Sequence, residues 1–189
     1  MGLWQSRRVS FISESAPSVL SVLRRQFDVS WGLFDYHLSR LGGEDFRWEP
    51  AAVCWTVRPT VDGGWEPDWA DVEPDPVPVP TVAWLTWHIG WWWSVSIDHL
   101  RDEAPRDRTA VVWPGPTGAT VEWMRDLAGQ WRELLDAGPD LGAPARFPWR
   151  DDPAVTVADA VAWVNVELMK NAAEIGQLRM LRTVGSVGG

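Results

Sequence analysis

The chain has 189 residues, of which 46% are hydrophobic, and a formal net charge of −9 at pH 7. This length suits one domain with a sizeable core, and the acidic charge argues against nucleic acid or an anionic membrane surface as a partner. Cys54 is the only cysteine, so no disulfide can form within the chain, as is typical of a reducing compartment. We therefore expect a single domain over residues 1–189.

The first residues contain a pair of arginines, Arg7 and Arg8, in a run that resembles the start of a twin-arginine export signal. No apolar segment and no small-residue cleavage site follow this pair, so we expect the protein to be cytoplasmic. Arginine is far more frequent than lysine, and Lys170 is the single lysine of the chain. This bias indicates a bacterial genome of high GC content.

Four segments have the start and stop signals of helices. Ser15 and Pro17 mark the start of the first, and Gly42 marks its end. Gly138 ends the third, and Thr156 begins the fourth in a variant of the capping box. These signals predict an all-α fold, a four-helix bundle. The predicted helices span about residues 17–41, 80–102, 119–137 and 156–182.

A long connection rich in tryptophan, proline and acidic residues separates the first two predicted helices. It covers residues 48–79, with a short strand predicted at 53–58 and a turn at 62–64. Loops of this length are uncommon in compact domains and often carry function, so we expect a functional or lid-like role.

Polar side chains interrupt helix faces that otherwise look like core. The fourth helix has Glu167, Asn171 and Glu174 at a spacing of four and three residues, which returns each to one face. The first helix has His37 and the second has His88 in similar positions. Because a buried carboxylate without a partner costs several kcal/mol, these residues predict a polar site between the helices.

The spacing of other residues in the second helix from His88 indicates which of them lie near it. His99 lies roughly 16 Å further along the axis, too far to share a metal ion, and we interpret it as a core residue. Trp91 and Trp92 are better placed than Trp93 to form walls near His88. The residues expected to contact a substrate or ligand are His37, Trp87, Trp91, Trp92 and Asn171.

Two helical segments, 84–90 (WLTWHIG) and 167–179 (ELMKNAAEIGQLR), resemble the DinB-like superfamily, as do 46–50 (FRWEP) and 54–58 (CWTVR) after the first helix. The resemblance covers most of the chain. The superfamily includes metalloenzymes, S-transferases that use low-molecular-weight thiols, and mycothiol-dependent maleylpyruvate isomerase. The resemblance therefore implies a DinB-like bundle with a divalent metal, and it allows a homodimer.

The resemblance also implies which residues would bind a metal such as zinc or nickel. His88 matches the ligand on the second helix, and Glu167 matches the first of two ligands on the last helix. Asn171 stands where the family has histidine, and asparagine is a poor ligand for zinc or nickel. Glu174 or His37 is an alternative ligand. In the other interpretation Lys170 supplies the positive charge and the pocket holds no metal.

Three functions stay open, and the residues do not decide whether the protein is an enzyme. The first is a metal-dependent thiol transferase or isomerase acting on a small molecule. The second is a metal-free enzyme of secondary metabolism, with His88 and a carboxylate as acid and base. The third is a protein that binds an apolar small molecule without turnover, or whose polar cluster only fixes helix register. The candidate catalytic residues are His88, Glu167, Lys170 and Glu174.

Overall fold

The computed structural model describes residues 16–116, 118–149 and 152–187, so the arginine pair and Ser15 lie outside the described residues. The described chain is mostly helical, and each predicted helix is present within a few residues of its predicted bounds. Within the described ranges, none of the helices has an apolar stretch long enough to cross a membrane. The helices are α1 (Val19–Leu38), α2 (Gly43–Phe46), α3 (Val82–Leu100), α4 (Gly118–Asp136) and α5 (Val157–Val187).

Side-chain caps fix the helix starts. The Ser18 hydroxyl accepts a hydrogen bond from the Ser21 amide at 3.2 Å, so Ser18 caps α1 three residues later than the sequence predicted. Thr81 caps α3 in the same way. At the start of α5 the Asp159 carboxylate accepts from the Thr156 amide at 2.8 Å, as expected of the predicted capping-box variant.

The four long helices share one hydrophobic core. Helix α1 packs against α5 and α4, while α3 packs against α4 and α5. Helix α3 is buried on nearly all sides, which is typical of a central element. Polar contacts join α1 to α5, because the buried Asn165 amide donates to the Leu23 carbonyl at 3.0 Å and the Ser30 hydroxyl donates to the Asn165 carbonyl at 3.2 Å.

The long connection contains two short strand pairs. Strand β1 (Cys54–Trp55) pairs in parallel with β4 (Val79–Pro80), and β2 (Val57–Pro59) pairs with β3 (Trp65–Pro67) in an antiparallel hairpin. The hairpin turns at Gly63, whose φ of 84° favours glycine. The turn is therefore confirmed, and the predicted strand is split into β1 and β2. The fold is therefore mostly helical with short strand pairs, and the all-α prediction is not confirmed.

Tryptophan side chains fasten the loops to α3. The Trp84 indole donates to the Asp68 carbonyl at 2.8 Å, and the Trp87 indole donates to the Val111 carbonyl at 2.9 Å. Trp55 of β1 stacks on Trp84 with ring centroids 4.9 Å apart. The long connection therefore lies against the first half of α3, the half that carries His88.

Candidate functional site

His88 lies among tryptophans of its own helix. Its ring stacks on Trp84 at 4.8 Å with an interplanar angle of 11°, and Trp91 lies 5.7 Å away. Trp87 is at 6.5 Å. Trp84 and Trp91 are four residues before and three residues after His88, which places them on the same helix face. We call Trp84, Trp87 and Trp91 the aromatic wall.

The loop residues extend the aromatic wall. Trp69 packs edge-on against Trp91 at 5.5 Å and against Trp87 at 6.1 Å. Trp87 and Trp91 were predicted from the sequence as walls of the site, whereas Trp69 and Trp84 were not. The helical spacing could have revealed Trp84, whereas nothing local in the sequence places Trp69 beside α3. Trp92, also predicted as a wall, has ring contacts with Trp93 and Trp163 instead.

The His88 imidazole is neutral at physiological pH. Burial lowers its pKa, and the positive charge of Lys170 lowers it further, from 6.5 to about 4. Its Nδ1 is enclosed and has no hydrogen-bond partner among the described residues. A buried polar atom without a partner is uncommon in folded proteins, and a bound water, ion or ligand is one way of supplying that partner.

Lys170 forms an ion pair with Glu167 on α5. The Lys170 Nζ lies 3.0 Å from Glu167 Oε2, and the two side chains are 52% and 21% exposed. Glu174 has a different partner, because the Asn171 amide donates to its Oε2 at 2.8 Å. The single lysine of the chain therefore neutralises Glu167, while Glu174 is held by a neutral amide.

The buried face of α5 is rotated from the predicted one by about one position. Glu167 and Glu174 are partly buried at its edge, whereas Asn171 lies in the interior with its Oδ1 unpartnered within the described chain. Both carboxylates were predicted to lie inside because the 3-4 spacing runs from Val164 through them. The apolar residues that occupy the interior are Val161, Val164, Leu168, Ala172, Ile175 and Leu178.

His37 belongs to the contact between α1 and α5. It covers Gly176 so closely that a Cβ there would lie 2.7 Å from His37 Nε2. The Arg179 guanidinium donates to His37 Nδ1 at 3.4 Å. Burial and the positive charges of Arg179 and Arg40 lower the pKa of His37. None of these contacts involves another candidate residue, so the structure does not bring His37 into contact with the site at His88.

The candidate metal ligands on α3 and α5 do not form a set that fits a resident divalent metal ion. Within residues 16–116, 118–149 and 152–187, no three His, Cys, Asp or Glu side chains come together in a group that could hold a metal ion. The ammonium group of Lys170 lies beside Glu167, and Asn171 binds Glu174. In the predicted ligand set of His88, Glu167, Asn171 and Glu174, all except His88 therefore already have a partner in the ion pair or the hydrogen bond just described.

A cavity of about 780 Å³ adjoins the aromatic wall. Trp69 lines this cavity and also contacts Trp91, so one side chain links the cavity to the surroundings of His88. The Arg108 guanidinium lies 4.3 Å from the Trp69 ring centroid, in cation–π geometry. Arg58 also lines the cavity, where Asp68 accepts from its Nε at 2.9 Å.

Comparison with known proteins identifies the family and nothing finer. A family model described as the DinB superfamily matches residues 26–175, a range that contains His37, His88 and the candidate residues of α5. No significant match was found among curated proteins or among solved structures.

Proposed function

This chain belongs to the DinB superfamily, and we propose that it binds a small aromatic anion at His88 and Lys170 without a resident divalent metal. The position of Lys170 carries the proposal. Its ammonium neutralises Glu167 at 3.0 Å, and its charge also helps to lower the pKa of His88. The positive charge of Lys170 therefore acts on the two residues that match metal ligands in the family, and a second cation there would be repelled.

The chemistry of the surroundings indicates the class of ligand. The partly exposed indole rings of Trp69 and Trp91 offer flat apolar surface, on which an aromatic ligand can stack. Lys170 is half exposed, so its ammonium can contact a carboxylate in addition to Glu167. Arg108 offers a second cation at the adjoining cavity. We therefore favour an aromatic carboxylate over a neutral or cationic ligand.

A metal-free acid–base enzyme is the second candidate, and the perturbed pKa of His88 favours it. Strongly shifted groups are concentrated at catalytic sites. Burial is the larger cause of the low His88 pKa and the charge of Lys170 the smaller. An anionic ligand that offsets the charge of Lys170 removes the smaller cause, which makes the imidazole a better base. Conversion of the ligand by wild type and not by His88→Ala would support this candidate.

The metal-dependent thiol transferase or isomerase implied by the family resemblance stays a prediction. On our proposal the four long helices form a DinB-type bundle, and the site lies where α3 and α5 face each other. Within the described residues the buried Asn171 Oδ1 and His88 Nδ1 lack a hydrogen-bond partner, which a ligand that enters between the helices would supply. We derive no step through a metal, because the described side chains do not supply a ligand set.

We would test the proposal by measuring ligand binding in the presence of excess chelator, which removes divalent metal ions. We would titrate 2-naphthoate into the untagged protein and follow the imidazole signals of the three histidines by NMR. We expect the His88 signal to shift with saturation, and the affinity to fall by about tenfold or more in Lys170→Met, since charge-assisted hydrogen bonds contribute ~1.5–3 kcal/mol.

Arg132→Met is the matched control, because Arg132 is a half-exposed cation of α4 that pairs with Asp28 at 3.1 Å. Its affinity for 2-naphthoate should equal that of wild type. Equal affinity in Lys170→Met and wild type, or saturation without a shift of the His88 signal, would contradict the proposal.

A further inference from the structure

Helices α1 and α5 present hydrophobic side chains to solvent as well as to the core. The two helices run in the same direction, because Leu23 near the start of α1 contacts Asn165 and His37 near its end covers Gly176. On each helix, hydrophobic residues outside the core recur in steps of three, four and seven, which keeps them on one side. We call them the outward face: Val22, Val29, Leu33 and Tyr36 of α1, and Val166, Met169, Ala173, Met180 and Val184 of α5.

The stripes of the two helices form one continuous surface. A shallow groove of about 190 Å³ lies between them, and Val29 of α1 lines it together with Val166 and Met169 of α5. Further along, Tyr36 lies beside α5, since the Arg179 guanidinium is 6.0 Å from its ring centroid. The outward face therefore spans both helices, with a groove in its middle that a side chain of a partner can enter.

The acidic residues of α1 and α5 all lie away from the outward face. Asp28 and Asp35 of α1 bind arginines of α4 at 3.1 and 2.9 Å. On α5, Asp159 caps the start of the helix, while Glu167 and Glu174 lie at the edge that carries the candidate site. A chain with 26 acidic residues thus has none on this part of its two described helices. Depletion of charge is typical of the centre of a protein–protein interface.

The outward face is large enough for a specific interface. From Ala162 to Val184, α5 extends for about 33 Å at a rise of ~1.5 Å per residue. Two neighbouring helices, with axes about 10 Å apart, are roughly 20 Å wide. The face therefore covers roughly 600 Å² on one copy, so two copies would bury about 1,200 Å², and a specific interface needs about 1,000 Å² or more.

We infer that the outward face binds the same face of a second copy of this chain. A two-fold axis would place one α1–α5 pair against the other, so that four helices from two copies pack as in a bundle. A second copy fits because its face has the same length and brings no carboxylate, so two acidic chains meet without repulsion at the contact. An anionic membrane does not fit, because the net charge of −9 opposes it. The inference is independent of the function proposed at His88.

The experiment measures the mass of the full-length, untagged protein by sedimentation equilibrium, from about 1 μM to about 0.5 mM. We expect wild type to reach twice the 21.3 kDa of one chain. Val166→Glu and Val29→Glu each place a carboxylate in the interface from both copies. The dissociation constant of the dimer should rise by at least about 100-fold in each variant, because like charges in an interface repel.

The matched control is Val77→Glu, since Val77 lies in the long connection and is 54% exposed, against 56% for Val166. It should dimerise as wild type does. Both variants of the face replace exposed side chains, so they should keep the circular dichroism of the folded helices, which separates loss of the dimer from loss of the fold. A monomeric wild type over the whole range would assign the face to a different partner. That result, or equal dissociation constants in Val166→Glu and Val77→Glu, would overturn the inference.

Discussion

The pKa of His88 makes the stability of the protein depend on pH in a defined range. In the unfolded chain His88 titrates near 6.5, whereas in the folded protein burial and Lys170 lower its pKa to about 4. Above pH 6.5 the imidazole is neutral in both states, so the stability that depends on the neutral form of His88 is fully present. As the pH falls from 6.5 to about 4, the unfolded state binds a proton that the folded state does not, and this contribution is lost.

The size of the effect follows from the shift. Each pKa unit corresponds to about 1.4 kcal/mol, so the shift of His88 corresponds to about 3 kcal/mol. We would measure urea unfolding of wild type and His88→Gln from about pH 7 to about pH 4. Other titrating groups are common to both proteins, so the difference between their free energies of unfolding isolates His88. Wild type should lose about 3 kcal/mol relative to the variant as the pH falls.

His37→Gln provides a comparison, because burial, Arg179 and Arg40 lower the pKa of His37 in the same direction. It should show an effect of the same sign and smaller size. If the difference between wild type and His88→Gln stays constant over this range, His88 titrates alike in the folded and unfolded states. The electrostatic reasoning about the site would then be wrong.

Three further predictions concern the packing of the helices. Gly90→Ala should destabilise the protein by about 1–3 kcal/mol, because the added Cβ would overlap the Trp123 ring. Gly129→Ala should stabilise its helix by about 0.5–1 kcal/mol, because the added Cβ would meet open space. Thermal unfolding of the two variants tests both predictions. Asn165→Ala should cost about 2 kcal/mol, because it removes the side-chain hydrogen bonds to Leu23 and Gln26, and a loss below ~0.5 kcal/mol in urea unfolding would contradict this account.

The helices were predictable because their signals are local. Caps such as Thr156 with Asp159, and the helix-breaking Gly138, depend on neighbours a few residues away. The start of α1 was misplaced because Ser15 and Ser18 are both suitable caps in sequence, and only the hydrogen bond to Ser21 identifies Ser18. The short strands were harder to predict because β1 pairs with β4 across more than twenty intervening residues.

The residues of the candidate site could be proposed from the sequence, but their arrangement in space could not. His88, Glu167, Lys170 and Asn171 were identified from the spacing of polar residues on helix faces. The rotation of α5, which leaves the carboxylates at the edge, depends on packing against α1 and α3 together. The place of Trp69 depends on the path of a long loop, which no periodic pattern describes. Association of two copies stays a prediction.

The proposal that Lys170 takes the place of a metal ion is tested most directly by measuring bound metal. Untagged wild type and the double variant Lys170→Ala, Asn171→His would be incubated with zinc, dialysed and analysed by elemental mass spectrometry. The variant removes the competing ammonium and restores the Glu–His pair that the family resemblance implies. We expect no stoichiometric zinc in wild type and about one equivalent in the variant. One equivalent in wild type, lost in both His88→Ala and Glu167→Ala, would contradict the account.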